Sequence, residues 1–318
     1  MILYMAGGIS GNCKPLWIDR LQKFHNGEDL YLAGIADKWH GYFMNDITDL
    51  KNFGQRNGEN RMNVLAGTMY GNQGKMLETN KELIPSYTAN KIDIAILESF
   101  YYADEWTEKA IPLLDKFLLD SGAFTFMSNV KDSKKVDFDA YLTRYINFIN
   151  KNDVKLFFEL DVDSVVGYEK VKQMRKRLES ETQKKCIPVW HKSRGLEEWY
   201  KLTSEYDYVA IGGIVSKEIT RQEYKYFPKL LEIARENGCK VHGLGFTNLE
   251  GLKKYKFYSV DSTAWTTGNR FGSVYKFNGH TMVKYSKKDG QKLADSRAVA
   301  VNNFNEWVKF QKYADTHL

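Results

Sequence analysis

Short apolar runs bounded by turn residues recur along the chain and alternate with longer stretches whose apolar residues have helical spacing. A short run of this kind is typical of a buried strand. Eight strands are predicted, at residues 2–6, 92–98, 117–120, 155–161, 186–190, 207–212, 240–244 and 257–261. Helices are predicted between them at 139–149, 168–178, 196–202, 218–236 and 249–255. Strands that alternate with helices favour a parallel sheet with right-handed crossovers.

Eight such units predict an α/β fold, a (β/α)₈ TIM barrel with a long insertion after the first strand and a C-terminal helix. An open doubly wound sheet is the alternative, and it needs fewer strands or a reversal of strand order. Residues 7–90 are too long for one crossover, so they are interpreted as an elaborated insertion. A barrel strand at 30–35 would instead move the numbering of the strands by one.

The end of the chain has a different pattern from the alternating units. Residues 273–285 alternate like a hairpin, and residues 293–313 have helical spacing. We therefore expect residues 273–318 to form a hairpin and helix that close or flank the barrel. The whole chain, 1–318, is interpreted as a single domain.

Composition narrows the class of protein. Hydrophobic residues make up 43% and aromatic residues 14% of the 318, which is enough for a large core. No run approaches the roughly 18 apolar residues of a membrane helix, and residues 1–5 are too short for a signal peptide. The cysteines at 13, 186 and 239 are too far apart in sequence for a disulfide framework or a Cys-x-x-Cys metal site, so a cytoplasmic location is expected. The net charge of +6 permits a polyanionic partner.

Polar residues and glycines follow the apolar runs where the predicted strands end. In a (β/α)₈ barrel the carboxyl ends of the strands meet on the face that carries the site. The candidate site residues at these ends are Asp120, Asp161, Asp163, His191, Gly212, Gly213, Gly243, Gly245 and Asp261. Ser121 and Gly122 follow the first of them in a tight turn that can hold backbone N–H groups near a ligand. An acid at one strand end is more often the N-cap of the next helix, which is the alternative interpretation.

Two acids from distant parts of the chain, Asp120 and Asp261, are expected on this face. Paired carboxylates perform glycosidic chemistry, in which one attacks or stabilises the anomeric carbon and the other transfers a proton. If Asp261 attacks C1′ of a nucleoside, a covalent glycosyl-enzyme forms and the base leaves. A different base can then attack from the vacated side, so the result is base exchange with retention.

Four motifs carry a resemblance to a known family. They are Leu-Asp-Ser-Gly-Ala-Phe at 119–124, Tyr-Val-Ala-Ile-Gly-Gly-Ile at 208–214, His-Gly-Leu-Gly-Phe-Thr at 242–247 and Val-Asp-Ser-Thr-Ala-Trp-Thr-Thr-Gly-Asn-Arg at 260–270. In this order and spacing they resemble the tRNA-guanine transglycosylases (queuine tRNA-ribosyltransferases), above all the shorter phage-associated relatives that place 7-deazaguanines in DNA. The resemblance covers roughly residues 92 to 272, and only the combination of motifs is specific.

The resemblance implies a pentosyltransferase that exchanges guanine in DNA for a 7-deazaguanine, a preQ0-like or preQ1-like base. It implies that Asp261 is the nucleophile and Asp120 the general acid/base. The partners implied are DNA, or tRNA as the alternative, and the free base, with no cofactor, no membrane and a possible homodimer. A phage-encoded enzyme would work in the host cytoplasm.

Base recognition is implied for a second group of residues. Either Asp161 or Asp163 would accept hydrogen bonds from the guanine edge, and alternation along a strand puts both on the same face. Gly212 and Gly213 would let the backbone approach the base. His191 falls near the position of a glutamine that contacts the base in the family, so recognition of the base is expected to differ.

The chain also departs from the family. It has no cysteine cluster after Asp261, so zinc is not predicted. Too few residues follow Phe271 for the RNA-binding domain that some relatives carry, which favours DNA over tRNA.

Further residues are candidates with ordinary alternatives. Lys192, Arg194 and Arg270 lie in loops where they could contact phosphates or only solvent. His242 could be a ligand or proton carrier, and is more often an ordinary hydrogen-bonded group. The aromatic stretch 100–102, with Trp106, could stack on a base but more often packs in a core.

Two other classes of protein remain open at this stage. One is a barrel that binds nucleic acid or a nucleobase without catalysis, with the aspartates acting as caps and recognition groups. The other is a small-molecule lyase or aldolase barrel, which predicts a lysine or a metal cluster at a strand end.

Overall fold

The computed structural model describes residues 1–6, 92–123, 125, 136–246, 248–266, 271–286 and 296–318. All eight predicted strands are present in these ranges. They are β1 Ile2–Ala6, β2 Ile92–Ser99, β3 Leu114–Asp120, β4 Leu156–Phe157, β5 Val189–Trp190, β6 Tyr208–Ile211, β7 Lys240–Gly243 and β8 Ser259–Ser262. β4 and β5 are shorter than predicted. The predicted insertion at 7–90, with its alternative strand at 30–35, lies outside the described residues.

The eight strands form one parallel sheet in the order β4-β3-β2-β1-β8-β7-β6-β5. Just beyond β4, Phe158 forms a parallel bridge with Ile187, which lies just before β5. The Ile187 N–H donates to the Phe157 carbonyl at 2.8 Å, and the Glu159 N–H donates to the Ile187 carbonyl at 3.0 Å. The fold is therefore α/β, with a curled parallel sheet flanked by helices that is compatible with a TIM-like barrel.

The described helices follow the predicted alternation with the strands. They are α1 Glu105–Ala110, α2 Phe138–Lys151, α3 Asp163–Val166, α4 Tyr168–Thr182, α5 Gly195–Glu205, α6 Phe227–Glu236, α7 Leu249–Lys254 and α8 Ser296–His317. α2 shows why they form: the Asp137 side chain caps its first turn by accepting from the Ala140 N–H at 2.9 Å. Its apolar residues recur at helical spacing and are buried. None of the helices in the described ranges has the length and apolar character needed to cross a membrane.

One predicted helix begins later than its pattern indicates. Helical spacing predicts residues 218–236, but a 3₁₀ segment covers Arg221–Tyr226 and α6 begins at Phe227. Pro228 lies in the first turn of α6, where its missing N–H is tolerated, whereas its ring disfavours a continuous helix running in from earlier residues. The 3₁₀ segment itself begins after a capping box formed by Thr220 and Glu223, so residues 218–220 are loop and Glu218 lines the cavity described below.

Apolar side chains from widely separated strands meet in one buried cluster. Its members are Tyr4, Ala95, Leu97, Leu118, Phe158, Ile187, Val189 and Ala210. These side chains come from β1, β2, β3, β5, β6 and the bridge beside β4. Their contact with one another shows that the sheet is curled, with these side chains on its inner face. The helices cover the other face through two larger clusters.

The predicted C-terminal hairpin and helix are confirmed. β9 (Ser273–Phe277) pairs antiparallel with β10 (Met282–Ser286), and α8 packs against β9 and β1. The Gln311 amide of α8 donates to the carbonyls of Leu3 and Ala95, and its oxygen accepts from the Ala95 N–H at 2.9 Å. The C-terminal helix is thereby joined to the backbones of β1 and β2.

Candidate active site

A cavity of about 1240 Å³ opens at the carboxyl ends of the strands, large enough for a nucleoside and its neighbouring groups. The candidate residues that line it are Asp120, Ser121, Asp161, Asp163, His191, Gly212, Gly213, Gly245 and Asp261. Gly122 and Gly243 do not line it, and Arg270 lies outside the described residues. Most of the residues expected at strand ends are therefore brought together.

Asp120 is the last residue of β3, and its Oδ2 accepts from the Gly122 N–H at 2.9 Å. Gly122 has φ +81°, and a Cβ there would overlap neighbouring side chains, so the turn requires glycine. Burial raises the pKa of Asp120 to about 6, against the lowering effect of the Gly122 N–H and the Ser99 hydroxyl. The charges of Asp261 and Asp161 raise it further. This carboxyl group is partly protonated near neutral pH, as a general acid must be.

Asp261 lies in β8 and has a different environment. Its Oδ1 accepts from the Gly245 N–H at 2.5 Å and from His242 Nε2 at 3.2 Å. Oδ2 accepts no hydrogen bond from the residues that the structure describes. Both donors belong to β7 and the turn after it, so Asp261 does not serve as the N-cap of a following helix.

Asp120 and Asp261 line the same cavity but have different surroundings. Both line it, from strands that are separated by β2 and β1 in the sheet. Asp261 is close enough for its charge to raise the pKa of Asp120. The pKa of Asp120 is thus raised by burial, while Asp261 is held by two hydrogen-bond donors.

His191 lies between two carboxylates. Its Nε2 is 2.7 Å from Asp161 Oδ2, and its Nδ1 is 2.8 Å from Glu218 Oε2. An ionised carboxylate can only accept, so both ring nitrogens donate and the ring is a cation. Burial alone would lower the pKa of His191, but the hydrogen bonds with Asp161 and Glu218 outweigh it and raise the pKa to about 9. The Ser193 N–H holds the other Glu218 oxygen at 2.8 Å.

Arg194 is a second buried cation in the site. It donates to Asp161 Oδ1 at 2.7 Å, to Asp163 Oδ2 at 2.9 Å and to Glu159 Oε1 at 3.1 Å. Its guanidinium carbon lies 4.2 Å from the centre of the Tyr168 ring. The side chain is 3% exposed, so Arg194 orders the carboxylates of the site and is not available to a phosphate.

Sequence reasoning missed two acids of this network. Glu159 is fully buried and accepts from Arg175 Nε at 2.6 Å and from the Val189 N–H at 2.8 Å. The available signal was a charged residue inside an otherwise apolar run, two positions before Asp161. Glu218 was hidden because its segment was predicted to be helix.

Asp161, Asp163 and His191 offer ligand atoms that lie within 4.8 Å of one another, a spacing that could suit a metal ion. Arg194 already bridges the two aspartates, and both nitrogens of His191 already face carboxylates. The cations of the chain itself therefore neutralise this cluster. The expectation that the chain binds no zinc stays a prediction.

Comparison of the chain with protein-family models and with curated proteins finds no match. The resemblance to tRNA-guanine transglycosylases therefore depends on the four short motifs and on where they lie in the fold. The described parts of these motifs include the carboxyl ends of β3, β6, β7 and β8.

The remaining candidates pack in the core, line the cavity or lie on the surface. Phe100 packs against the rings of Tyr141, Tyr145 and Phe148, so it belongs to the core. Tyr102 lines the cavity. Lys192 forms an exposed ion pair with Glu223. The Trp106 side chain lies outside the described residues.

The glycines at the strand ends have distinct reasons to lack a side chain. A Cβ at Gly212 would lie 2.8 Å from the His191 ring, and one at Gly213 would lie 2.8 Å from Glu218 Oε2. Gly243 instead lies under Phe246 and Phe257, with a Cβ position 3.1 and 3.2 Å from them. Gly212 and Gly213 therefore make space for the His191 network, whereas Gly243 makes space for the core.

We expect Gly245→Ala to destabilise the folded protein more than an alanine substitution at another glycine with a similar φ. Gly245 has φ +68°, and its Cβ would lie 2.2 Å from Val215 Cγ2, so either Val215 or the Gly245 backbone that donates to Asp261 must shift. Gly238→Ala is the matched control, because Gly238 has φ +71° and open space around its Cβ position. Urea denaturation should show a loss of about 1–2 kcal/mol in the control, from backbone strain alone, and a larger loss in Gly245→Ala.

The overlap with Val215 can be relieved separately. In Gly245→Ala combined with Val215→Ala, the stability should return to the level of the Gly238→Ala control. Equal losses in the two single glycine variants would contradict this account of Gly245.

We expect the charged state of His191 to stabilise the fold below its folded pKa. The folded value of about 9 exceeds the usual 6.5, so the folded protein binds the proton more tightly. This contribution is complete below about pH 6.5 and is lost as the pH rises through 9, a change of up to about 3 kcal/mol. Chemical denaturation of the wild type and His191→Gln at pH 6, 7.5 and 9 should show that the variant lacks this loss. His317→Gln, at an exposed histidine of α8, is the control and should keep it.

Proposed function

We propose that this protein is a transglycosylase that replaces guanine in DNA with a 7-deazaguanine base. The observation that carries the proposal is the pair Asp120 and Asp261, two acids on one cavity with environments that suit opposite tasks. Pairs of acids whose surroundings differ in this way are how acid and nucleophile roles are divided in glycosidic chemistry. The resemblance of the four motifs to tRNA-guanine transglycosylases supports the same assignment.

In the first half of the reaction the bond from sugar to guanine breaks. Asp261 Oδ2 attacks C1′, the C1′–N9 electron pair leaves with guanine, and Asp120 gives its proton to the departing base. The products are free guanine, a sugar esterified to Asp261 and an ionised Asp120. The raised pKa of Asp120 suits the donation, since burial has already disfavoured its charged form.

In the second half the roles reverse. Asp120 takes the N9 proton of the incoming base, the base nitrogen attacks C1′, and the ester bond to Oδ2 breaks to restore the Asp261 carboxylate. Two inversions at C1′ give net retention. No cofactor or external oxidant enters this sequence of steps.

Base recognition is best supported at Asp161. His191 and Arg194 hold one hydrogen bond to each of its oxygens, which fixes the carboxylate on the cavity wall. Each oxygen keeps a lone pair for the N–H groups of a purine edge. Gly212 and Gly213 leave the backbone accessible beside it, and Asp163 orients Arg194.

We further propose that the curled sheet is a closed (β/α)₈ barrel. The bridge from Phe158 to Ile187 and its two backbone hydrogen bonds join the two edge strands of the sheet, which supports closure. Closure would explain why the polar ends of strands as far apart in the sheet as β3, β5 and β8 line one cavity.

DNA is the preferred polynucleotide, and a base inside a duplex cannot reach such a cavity. The substrate is therefore single-stranded or has its guanine flipped out of the stack. A net charge of +6 is compatible with a polyanion. The lyase or aldolase alternative is weaker, because no lysine is among the described residues that line the cavity. The Asp161, Asp163 and His191 cluster has the spacing of a metal site, but Arg194 already bridges its two aspartates.

The test is guanine exchange on defined polynucleotides. The protein is incubated with radiolabelled guanine and single-stranded DNA, duplex DNA or tRNA, and label in the polynucleotide is counted. Label in DNA supports the proposal, label only in tRNA supports the RNA-acting alternative, and a binder without catalysis incorporates none. A denaturing gel should also show a covalent polynucleotide adduct when acceptor base is withheld.

A further inference from the structure

We infer that His242 is a positioning residue that holds Oδ1 of Asp261 so that Oδ2 is the oxygen that attacks the sugar. The inference rests on the proposed function for its chemical meaning, but its geometry is independent of any substrate. His242 is fully buried and does not line the cavity, so it acts through Asp261.

A chain of hydrogen bonds leads from the core to the carboxylate. His242 Nε2 lies 3.2 Å from Asp261 Oδ1, and His242 Nδ1 lies 2.6 Å from Ser259 Oγ. Ser259 Oγ is in turn hydrogen-bonded to the Tyr208 hydroxyl. The rings of Tyr4 and Phe158 pack near the imidazole, with centroids at 6.0 and 5.3 Å. Side chains from three strands and the core thus fix one ring orientation.

The direction of donation along this chain follows from its cavity end. The Asp261 carboxylate can only accept, so the tautomer that fits has its hydrogen on His242 Nε2, and Nδ1 is then the acceptor. Ser259 then donates to Nδ1, and Tyr208 donates to Ser259. Burial raises the pKa of Tyr208 far above its ordinary value, so this hydroxyl keeps its proton. Every donor in the chain therefore points toward Asp261.

The residue types are those of a Ser-His-Asp triad, but their arrangement excludes that chemistry. In a hydrolase triad the serine faces the substrate and the aspartate is buried behind the histidine. Here Asp261 lines the cavity, while Ser259 and His242 are fully buried. In this arrangement the nucleophile is Asp261, and Ser259 only holds the His242 ring from the side away from the cavity.

The position of the two donors has a consequence for the ester intermediate. The Gly245 N–H and His242 Nε2–H both face Oδ1, which is the carbonyl oxygen when Oδ2 is bonded to C1′. When the second base attacks, negative charge returns to the carboxylate, and donors aimed at Oδ1 stabilise it as a leaving group. Loss of the His242 donor should therefore slow breakdown of the intermediate, so that more of it accumulates.

The activity test compares two substitutions at the same position. His242→Met fills a similar volume without a donor, and His242→Gln keeps an N–H close to the place of Nε2. We expect His242→Met to lower kcat roughly 100-fold with KM for the free base nearly unchanged, and His242→Gln to recover most of the loss. The covalent adduct should form a larger steady-state fraction in His242→Met. Equal kcat in the wild type and His242→Met, or equal losses in both variants, would overturn the inference.

A second measurement needs no activity. Nitrogen-15 NMR of the histidine side chains at pH 8, assigned through His242→Gln, should show His242 with its hydrogen on Nε2. A hydrogen on Nδ1 would overturn the inference. If the wild type exchanges no base in any polynucleotide, the proposed function fails, and this tautomer still decides whether His242 holds Asp261.

Discussion

Asp261→Asn should abolish guanine exchange, with a fall of roughly 10⁴-fold or more, because the amide cannot form the ester to C1′ that the reaction requires. The covalent adduct should disappear from denaturing gels in the same variant. The amide can still accept at its oxygen from the Gly245 N–H, so the fold should be kept. Circular dichroism and thermal unfolding check that point.

Two further variants make the result specific. Asp261→Ala removes the carboxylate without leaving an amide that could deamidate, and it should be equally inactive. Asp315→Asn is the matched control, since Asp315 is paired with Lys116 near the start of β3, the strand that carries Asp120 at its other end. This control should exchange guanine like the wild type. An adduct that persists in Asp261→Ala would remove Asp261 from the role of nucleophile.

Asp120→Asn should block guanine release while making the protein more stable at neutral pH. The variant has no proton to give to the leaving base, so adduct formation should fall by about 10²- to 10⁴-fold. In the wild type the protonated form of Asp120 declines above its pKa of about 6. The rate of adduct formation in single turnover should then fall about tenfold per pH unit above that value.

The stability effect follows from the same raised pKa. Asp120 has a folded pKa of about 6 against an ordinary 3.8, so the folded state binds more protons between these values. Stability therefore falls as the pH rises from about 4 to 6, and the cost persists above 6. Asp120→Asn should be more stable than the wild type by about 1–2 kcal/mol at pH 7.5 and should have no such advantage at pH 4. Urea denaturation at the two pH values measures the difference. A variant that is less stable than the wild type at pH 7.5 would contradict the raised pKa of Asp120.

The strands and the acids at their ends were predictable because several apolar runs stop at a charged residue, which is rarely buried without a partner. Asp120 and Asp261 were expected on one face for this reason, and both line the cavity. Parallel pairing followed from the alternation with helices. The pattern of apolar runs does not show which side chain pairs with each charged group across the cavity.

The ion-pair and hydrogen-bond partners of the charged groups could not be predicted from the sequence. Arg194 was expected to face phosphate or solvent, yet it is buried against three carboxylates, because the curled sheet brings the ends of β4 and β5 together. Glu218 reaches His191 because the next helical segment begins only after the Thr220 cap, which leaves residues 218–220 as loop. Both contacts depend on the geometry of packed elements, which periodicity does not encode.

The glycines divide in a way that residue type alone does not reveal. Gly245 donates its N–H to Asp261, whereas Gly243, two positions earlier, gives space to Phe246 and Phe257. Both were candidates because both lie at the end of one strand. The two roles can be told apart only from the atoms that a Cβ at each glycine would contact.

The contacts of Gln311 with Leu3 and Ala95 have a consequence for how the chain folds. β1 also pairs with β8, so its neighbours include residues 259–262 as well as 311. Gln311 and Leu3 are 308 positions apart in sequence, and both must be brought together before β1 has its native environment. Pairings of such high contact order slow folding relative to helical bundles, whose contacts are mostly local.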